Sequence, residues 1–396
     1  MKKFRLGDLL TVKHGWAFKG EFFAESGQMS ILTPGNFFDK GGFKRNDERE
    51  RYYTGEFPSE YLSHKSDLIV AMTEQATGLL GSTAIVPEDD RYLHNQRIGL
   101  ITCNENIDKM FAYYLFMTRS VREQISRTSS GTKVKHTSPE KIYDVEVIIP
   151  DISMQKKIAH ILWSIDMKIE CNTHINDNLE ATAQAVFQEQ FVSFYGVDEL
   201  PDGYSIVNLD SLCTVKGGKR LPADCELLDT PTKHPYIRVR DVGSSRYVCL
   251  TNQFQYIDEE THSAISRYIV NTGDIVISIV GTIGLLGKIH FSLDKANLTE
   301  NCVKLANIHT VTSDYLYYTL CYKKQIKEIE LLTVGAVQAK LPMYNIQSMK
   351  ILVPPTKVME EFQNKMNVFN EQIEANTVEV QRLYELQEVL LAKMSD

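Results

Sequence analysis

The sequence predicts an α+β protein built twice over. Two mixed α/β domains are separated by two long helices forming an antiparallel coiled coil, and the whole is a pseudo-twofold internal repeat. Three observations lead there. The chain matches itself at an offset near 204 residues, two stretches related by that offset carry a heptad seam, and the excess acid is confined to those stretches. At 396 residues the chain exceeds one ordinary core, and 43% hydrophobic with 24% charged residues is a folding composition, neither disordered nor fibrous.

The repeat is clearest where each copy begins. Leu6, Leu9, Thr11, Val12, Lys13 and Gly15 recur as Leu209, Leu212, Thr214, Val215, Lys216 and Gly218. Gly78-Leu79-Leu80-Gly81 returns as Gly284-Leu285-Leu286-Gly287, Asn95 as Asn301, and Gly131, Ile142 and Pro150 as Gly335, Ile346 and Pro354. The order is kept throughout, which divides the chain into a first domain (1–150), a central helix (151–193), a linker (194–203), a second domain (204–353) and a C-terminal helix (354–396).

Within each domain, short β-rich runs bounded by Gly, Pro, Asn and Asp read as strands. They are 68–72, 83–86, 98–102 and 145–149 in the first domain, and 275–279, 302–306 and 349–353 in the second. A helical stripe covers 109–127, and 314–330 is its counterpart. The aromatic residues of 111–116 and 315–322 read as core.

The tails differ in kind. In the first, core-type residues recur at steps of four and three through Ile158, Leu162, Ile165, Ile169, Asn172, Asn176, Leu179, Ala183, Val186 and Gln190. The second runs in register through Phe362, Met366, Phe369, Ile373, Asn376, Val380, Leu383, Gln387, Leu390 and Met394. A helix with such a seam cannot bury its stripe alone, so the two tails are expected to pair. Asn172 and Asn376 share a seam position, where a polar residue fixes register at some cost in stability. Antiparallel pairing predicts a rod with one domain at each end.

Residues 1–150 hold 20 Lys and Arg against 20 Asp and Glu, and 201–353 hold 16 against 15. Residues 151–200 hold 3 against 8, and 354–396 hold 4 against 8. The net charge of −8 therefore says nothing against nucleic-acid binding by the nearly neutral domains. Seven scattered cysteines without a CxxC pair read as reduced thiols, and the dispersed histidines predict no metal. No apolar run approaches a bilayer span and MKKFRLGDLL is no signal peptide, so a cytoplasmic location without membrane contact is expected.

Two similar modules related by a pseudo-twofold axis have the geometry with which DNA-binding dimers read paired half-sites. Diverged modules would read two different short sequences across an unread spacer. The residues also point to a family. Ile149-Pro150-Asp151-Ile152-Ser153-Met154-Gln155-Lys156-Lys157-Ile158, then Ile161-Leu162-Trp163-Ser164-Ile165-Asp166 and Phe187-Gln188-Glu189-Gln190-Phe191 look like the "PPxxEQxxI…iLxxiD" entry to a conserved helix. In that motif Asp151 replaces the second Pro and Met154 the usual Glu. The second copy keeps Val353-Pro354-Pro355 but carries Glu360 and Glu361 where Gln is expected. The Leu-Gly-Asp-Leu start and the Leu-Pro-Asp-Gly-Tyr run at 200–204 match domain openings. Over nearly its whole length the chain resembles the specificity subunit of type I restriction-modification enzymes.

That resemblance implies two target recognition domains that read duplex DNA, with helices that set the spacer and dock two methyltransferase subunits. S-adenosylmethionine would be bound by those partners and no cofactor by this chain, and restriction or translocase subunits could join the complex. The residues themselves carry no catalytic signature. Val353-Pro354-Pro355-Thr356 lacks both ends of a methyltransferase motif. Gly281 to Lys288 departs from a phosphate loop in spacing and in ending on Ile289, and reads as a turn.

Phosphate contacts need Lys, Arg or accessible backbone, and base readout needs polar tips. In the first module the candidates are Lys13, Lys19, Lys44, Arg45, Thr73, Glu74 and Gln75, with Lys133, Lys135 and His136 in the Gly131 to His136 loop. In the second they are Lys216, Lys219, Arg220, Arg238, Arg240 and Lys340. His14 and His136 read as contact or surface groups, since neither has a nucleophile partner. The competing class is a coiled-coil adaptor with paired protein-binding domains, which steep salt dependence of duplex binding would exclude.

Overall fold

The computed structural model describes every residue except 46–49, 75–77, 132–133, 196, 198, 244, 252–253, 336–338 and 395–396. The chain divides into two compact units, Met1–Cys171 with Arg382–Asp396, and Asn172–Gln381. Each unit holds one α/β domain and a segment of each long helix.

In the first unit, the strands Leu10–His14, Ile98–Cys103, Leu68–Ala71 and Thr83–Ile85 form an antiparallel sheet in that spatial order. Leu68–Ala71 is buried along its whole length, as its unbroken apolar run requires. The turn from it to Thr83–Ile85 carries Gly78 and Gly81 at φ +87° and +77°. In the second unit, Thr214–Gly217, Cys302–Ala306, Ile275–Ser278, Leu286–Ile289 and Tyr247–Val248 make the corresponding sheet, with one extra edge strand. Its turn between 278 and 286 places Gly281 and Gly284 at φ +82° and +84°, so the phosphate-loop lookalike is the turn expected.

Each domain also carries a smaller sheet, which the patterning does not signal, and a two-stranded ribbon, of which it signals one strand, 145–149 in the first domain and 349–353 in the second. The small sheet joins Phe23–Ala24, Tyr52–Tyr53, Ser30–Ile31 and Tyr92–Leu93 in the first unit, and Gln255–Ile257, His234–Ile237 and Asn297–Leu298 in the second. Most of these strands are only two or three residues long, too short for a period of two to emerge. The ribbons pair Lys2–Arg5 with Glu146–Ile149 and Ser205–Asn208 with Lys350–Val353.

The single helix expected over 109–127 is two, Lys109–Leu115 and Arg119–Thr128, and that over 314–330 is Ser313–Cys321 and Lys323–Leu331. The breaks are twins. Thr118 (ψ 146°) and Tyr322 (ψ 137°) turn extended and start the second helix. The aromatics of both first helices are core, with Phe111, Tyr114, Tyr315 and Tyr318 essentially inaccessible.

The long helices span Ile152–Phe191 and Thr356–Lys393. Within each unit their segments run antiparallel. In the first, Gln387 hydrogen-bonds Asp166, and Leu390, Leu391 and Met394 pack on the core that contains Leu162. In the second, Asn172 Nδ2 donates to Glu379 Oε2 (2.7 Å), Asn376 Nδ2 to Asn176 Oδ1 (2.8 Å), and Phe187 meets Phe362. Leu162, Ile165, Ile169, Asn172, Phe362, Met366, Ile373 and Asn376 are buried, while Ile158, Leu179, Phe369 and Leu383 are half-buried.

Beyond Ala183 the observed face departs from the heptad. Burial proceeds through Ala183, Phe187 and Phe191, while the expected Val186 and Gln190 are half-buried. Steps of four keep these residues on the face that meets Tyr315 and Tyr318 of the domain, with ring centroids 5.0–6.4 Å apart. The seam period gives way where the helix packs on the domain as well as on the other helix.

Candidate nucleic-acid interface

The feature shared by the two domains is a close backbone crossing at the end of the first strand of each main sheet. A Cβ at Gly15 would lie 2.2 Å from the Asn95 carbonyl oxygen, and one at Gly218 would lie 2.0 Å from that of Thr299. Only glycine passes there. Hydrogen bonds repeat around the crossing. Trp16 N donates to His94 O as Lys219 N does to Leu298 O, and Met72 N to Arg97 O as Ile279 N does to Asn301 O. These bonds make Thr299 the counterpart of Asn95 and Asn301 that of Arg97. The sequence pairing of Asn95 with Asn301 is therefore two residues out, because the copies differ in loop length before this strand.

The loop of each domain returns to the same place. Ser130 and His136 exchange backbone hydrogen bonds, as Val334 and Lys340 do, and Thr73 bridges to His136 as Val280 does to Lys340. Gly131 and Gly335 open these loops at φ +102° and +101°, a conformation that glycine adopts freely. In the first unit the walls enclose an open pocket of about 550 Å³ lined by His14, Gly15, Thr73, Gln96, Arg97 and His136 among others. His14, Gln96, Arg97 and His136 are exposed, and Thr73 Oγ1 lies 3.1 Å from His136 Nδ1.

Beneath the pocket, His94 is only 1% exposed. Its Nε2 donates to the Ile98 carbonyl oxygen (2.8 Å), and Nδ1 is buried without a partner. Burial outweighs the Ile98 bond and lowers the ring's pKa to about 4. Below about pH 6.5 an unfolded histidine takes a proton that the native one refuses. Stability is therefore full above that pH and falls on acidification towards pH 4, by on the order of 3 kcal/mol for the first unit. Denaturant unfolding of His94→Gln between pH 7.5 and 4.5 should show a flatter pH dependence than the parent. An unchanged slope would exclude this histidine as the cause.

The candidates from sequence fall into three groups. Thr73 and His136 line the pocket, while Glu74 and Lys135 adjoin it through the Glu74 N to Lys135 O bond. Lys216, Lys219, Arg220 and Lys340 flank the second unit's crossing and loop. Lys216 is exposed, Lys219 Nζ stands 5.8 Å from the Tyr268 ring, and Arg220 Nε donates to Glu300 Oε1 (2.7 Å). Burial would raise the Glu300 carboxyl, but Arg220, Thr299 and a backbone N–H hold it below the ordinary range, so it stays ionised.

Others are engaged locally. Lys13 binds Glu60 (2.7 Å), Arg45 binds Glu88 (3.4 Å) and Lys44 lies over the Phe38 ring. Arg238 and Arg240 both pair with Asp241. Lys19 is exposed and does not line the pocket. Gln75 and Lys133 lie outside the described residues. Sequence reasoning missed Gln96, Arg97, Glu300 and Asn301. The available signal was the polar pair that precedes a buried strand in each copy.

A duplicated α/β domain that repeats one backbone crossing, with different side chains around it, makes this a two-domain modular protein. Residues 1–181 and 201–388 match the family described as the type I restriction modification DNA specificity domain. The chain belongs to that family. It is 22% identical over 312 residues to the type I restriction enzyme MjaIX specificity subunit of Methanocaldococcus jannaschii, covering 76% of this chain and 71% of that one. Against the HindI specificity subunit of Haemophilus influenzae it is 22% identical over 378 residues, covering 77% and 81%. The crystal structure of the type I restriction-modification S subunit from M. genitalium shares the fold at a TM-score of 0.56 and 16% identity, covering 100% of this chain and 96% of that one. Among the described residues, no helix is long and apolar enough to cross a membrane.

Proposed function

We propose that this chain is the non-catalytic DNA-reading subunit of a type I restriction-modification complex, each domain reading one half of an asymmetric bipartite duplex target. One observation carries the reading: the same glycine crossing and loop occur in both domains, with different exposed polar tips. A shared backbone gives both modules one mode of docking, and changed tips give each its own sequence.

The long helices set the unread spacer and dock two methyltransferase subunits, which bind S-adenosylmethionine, and restriction subunits can join the assembly. Exposed apolar side chains on the helices support protein partners there. They include Ile161, Trp163 and Met167 in the first unit and Val368 in the second. The acidic excess of the same segments disfavours DNA on that surface.

Duplex binding measured against salt tests the reading. Log affinity should fall steeply with log salt, and Lys216→Ala with Lys219→Ala should reduce the slope by about 1–2. Salt-independent binding, or none, would leave the chain an adaptor.

A further inference from the structure

The twin sites can be compared position by position, because their hydrogen bonds fix the alignment. Three features are common to both. Lys13 and Lys216 occupy the same strand position, Gly15 and Gly218 the same crossing, and Gly131 and Gly335 the same turn. The core beneath is also preserved in kind, with Val12 and Val215 buried, and Ile101 and Leu305 likewise. The polar tips differ. His14 faces Gly217 across the alignment, Thr73 faces Val280, Gln96 faces Glu300, Arg97 faces Asn301 and His136 faces Lys340. These five exchanges surround a shared set of backbone hydrogen bonds, and beneath them the buried His94 faces Leu298.

Among these pairs, Arg97 and Asn301 are the best placed to read a base. Each backbone carbonyl accepts from the end of the neighbouring central strand (2.9 Å from Met72 N, 2.8 Å from Ile279 N), so the Cα is held by the sheet and not by a loose loop. Arg97 is exposed and Asn301 half-exposed, and the hydrogen bonds of each to other described residues are made by its backbone and not by its side chain. A guanidinium presents two parallel donors, which match O6 and N7 of guanine. A carboxamide presents a donor and an acceptor, which match N7 and N6 of adenine. Among the other pairs, Thr73 is tied to His136 and Glu300 to Arg220.

Resting on the DNA-reading function above, we propose that Arg97 and Asn301 are equivalent specificity-determining residues. Arg97 selects guanine at one position of the first half-site, and Asn301 selects adenine at the corresponding position of the second.

The test is selection from a duplex library with two randomised halves and variable spacers, using the full chain together with whatever subunits co-purify with it. Parent, Arg97→Asn and Asn301→Arg are compared. Arg97→Asn should lower the guanine preference at one position of one half by on the order of tenfold and leave the other half unchanged. Asn301→Arg should replace adenine by guanine at one position of the opposite half. Both side chains project from the surface, so thermal unfolding should match the parent and separates a lost contact from a lost fold. If both variants enrich the parental sequence, or if either weakens every position equally, the assignment is overturned while the DNA-reading function stands. If the parent enriches no two-part sequence, that function itself fails.

Discussion

Asp314→Ala should destabilise the second unit by about 3–5 kcal/mol, read as an earlier unfolding transition of that unit in denaturant. The side chain is 3% exposed and sits at the centre of a buried polar network. Arg246 and Lys288 (2.6 Å) bind Oδ1, while Gln363 (2.8 Å) and Asn370 (2.7 Å), both from the second long helix, donate to Oδ2. Arg246 also donates to Tyr318 Oη and pairs with Glu180 of the first long helix. One carboxylate thus ties the domain to both helix segments of its unit.

Burial alone would raise the Asp314 carboxyl, but Lys288 and Arg246 outweigh it and hold it well below the usual carboxylate range. Its contribution is therefore present above about pH 4 and lost as pH falls through the lower native value. Removal leaves Arg246, whose side chain is 1% exposed, with Glu180 at 3.4 Å as its remaining anionic partner among the described residues. Replacing Asp314, Arg246, Lys288 and Glu180 together by apolar residues should cost much less than Asp314→Ala alone, since no charge of the network is then left unpaired. Equal losses would show that packing, not charge, dominates the site.

Gly15→Ala and Gly218→Ala should each cost at least about 3 kcal/mol in their own unit and abolish DNA reading by that domain. The new methyl meets backbone carbonyls on the neighbouring segment, which cannot rotate away as a flexible side chain would. Relief requires the crossing to open, which moves residues 94–97 or 298–301. Gly20→Ala is the control. It meets nothing within 4 Å at an ordinary φ and should stay within about 0.5 kcal/mol of the parent. Differential unfolding combined with half-site selection reads both effects, and a Gly218→Ala protein that bound both half-sites normally would remove the crossing from the interface.

The repeat, the main-sheet strands and the long helices were legible because each is written in periodicity or identity. Leu68–Ala71 and Ile275–Ile277 are unbroken apolar runs, and Gly131 and Gly335 mark loops that need a positive φ. The Asp314 network was not legible. Arg246, Lys288, Asp314 and Glu180 are far apart in the chain, and each alone looks like a solvated charge. The site was legible only in part. Thr73 drew notice because it follows a predicted strand, and His136 and Lys216 through Gly-rich or basic surroundings. Arg97 and Asn301 acquire meaning only when strand pairing shows that they occupy one position.

Residues 382–394 belong to the first unit, where Leu390, Leu391 and Met394 cover a core otherwise drawn from residues 4–162. During synthesis, that core stays uncapped while more than half of the polypeptide is still to be made. The amino-terminal domain must then wait, with an apolar flank uncovered, for its last strip of surface to leave the ribosome. Contacts of such sequence separation close slowly, which exposes the nascent chain to aggregation and gives chaperones their opening.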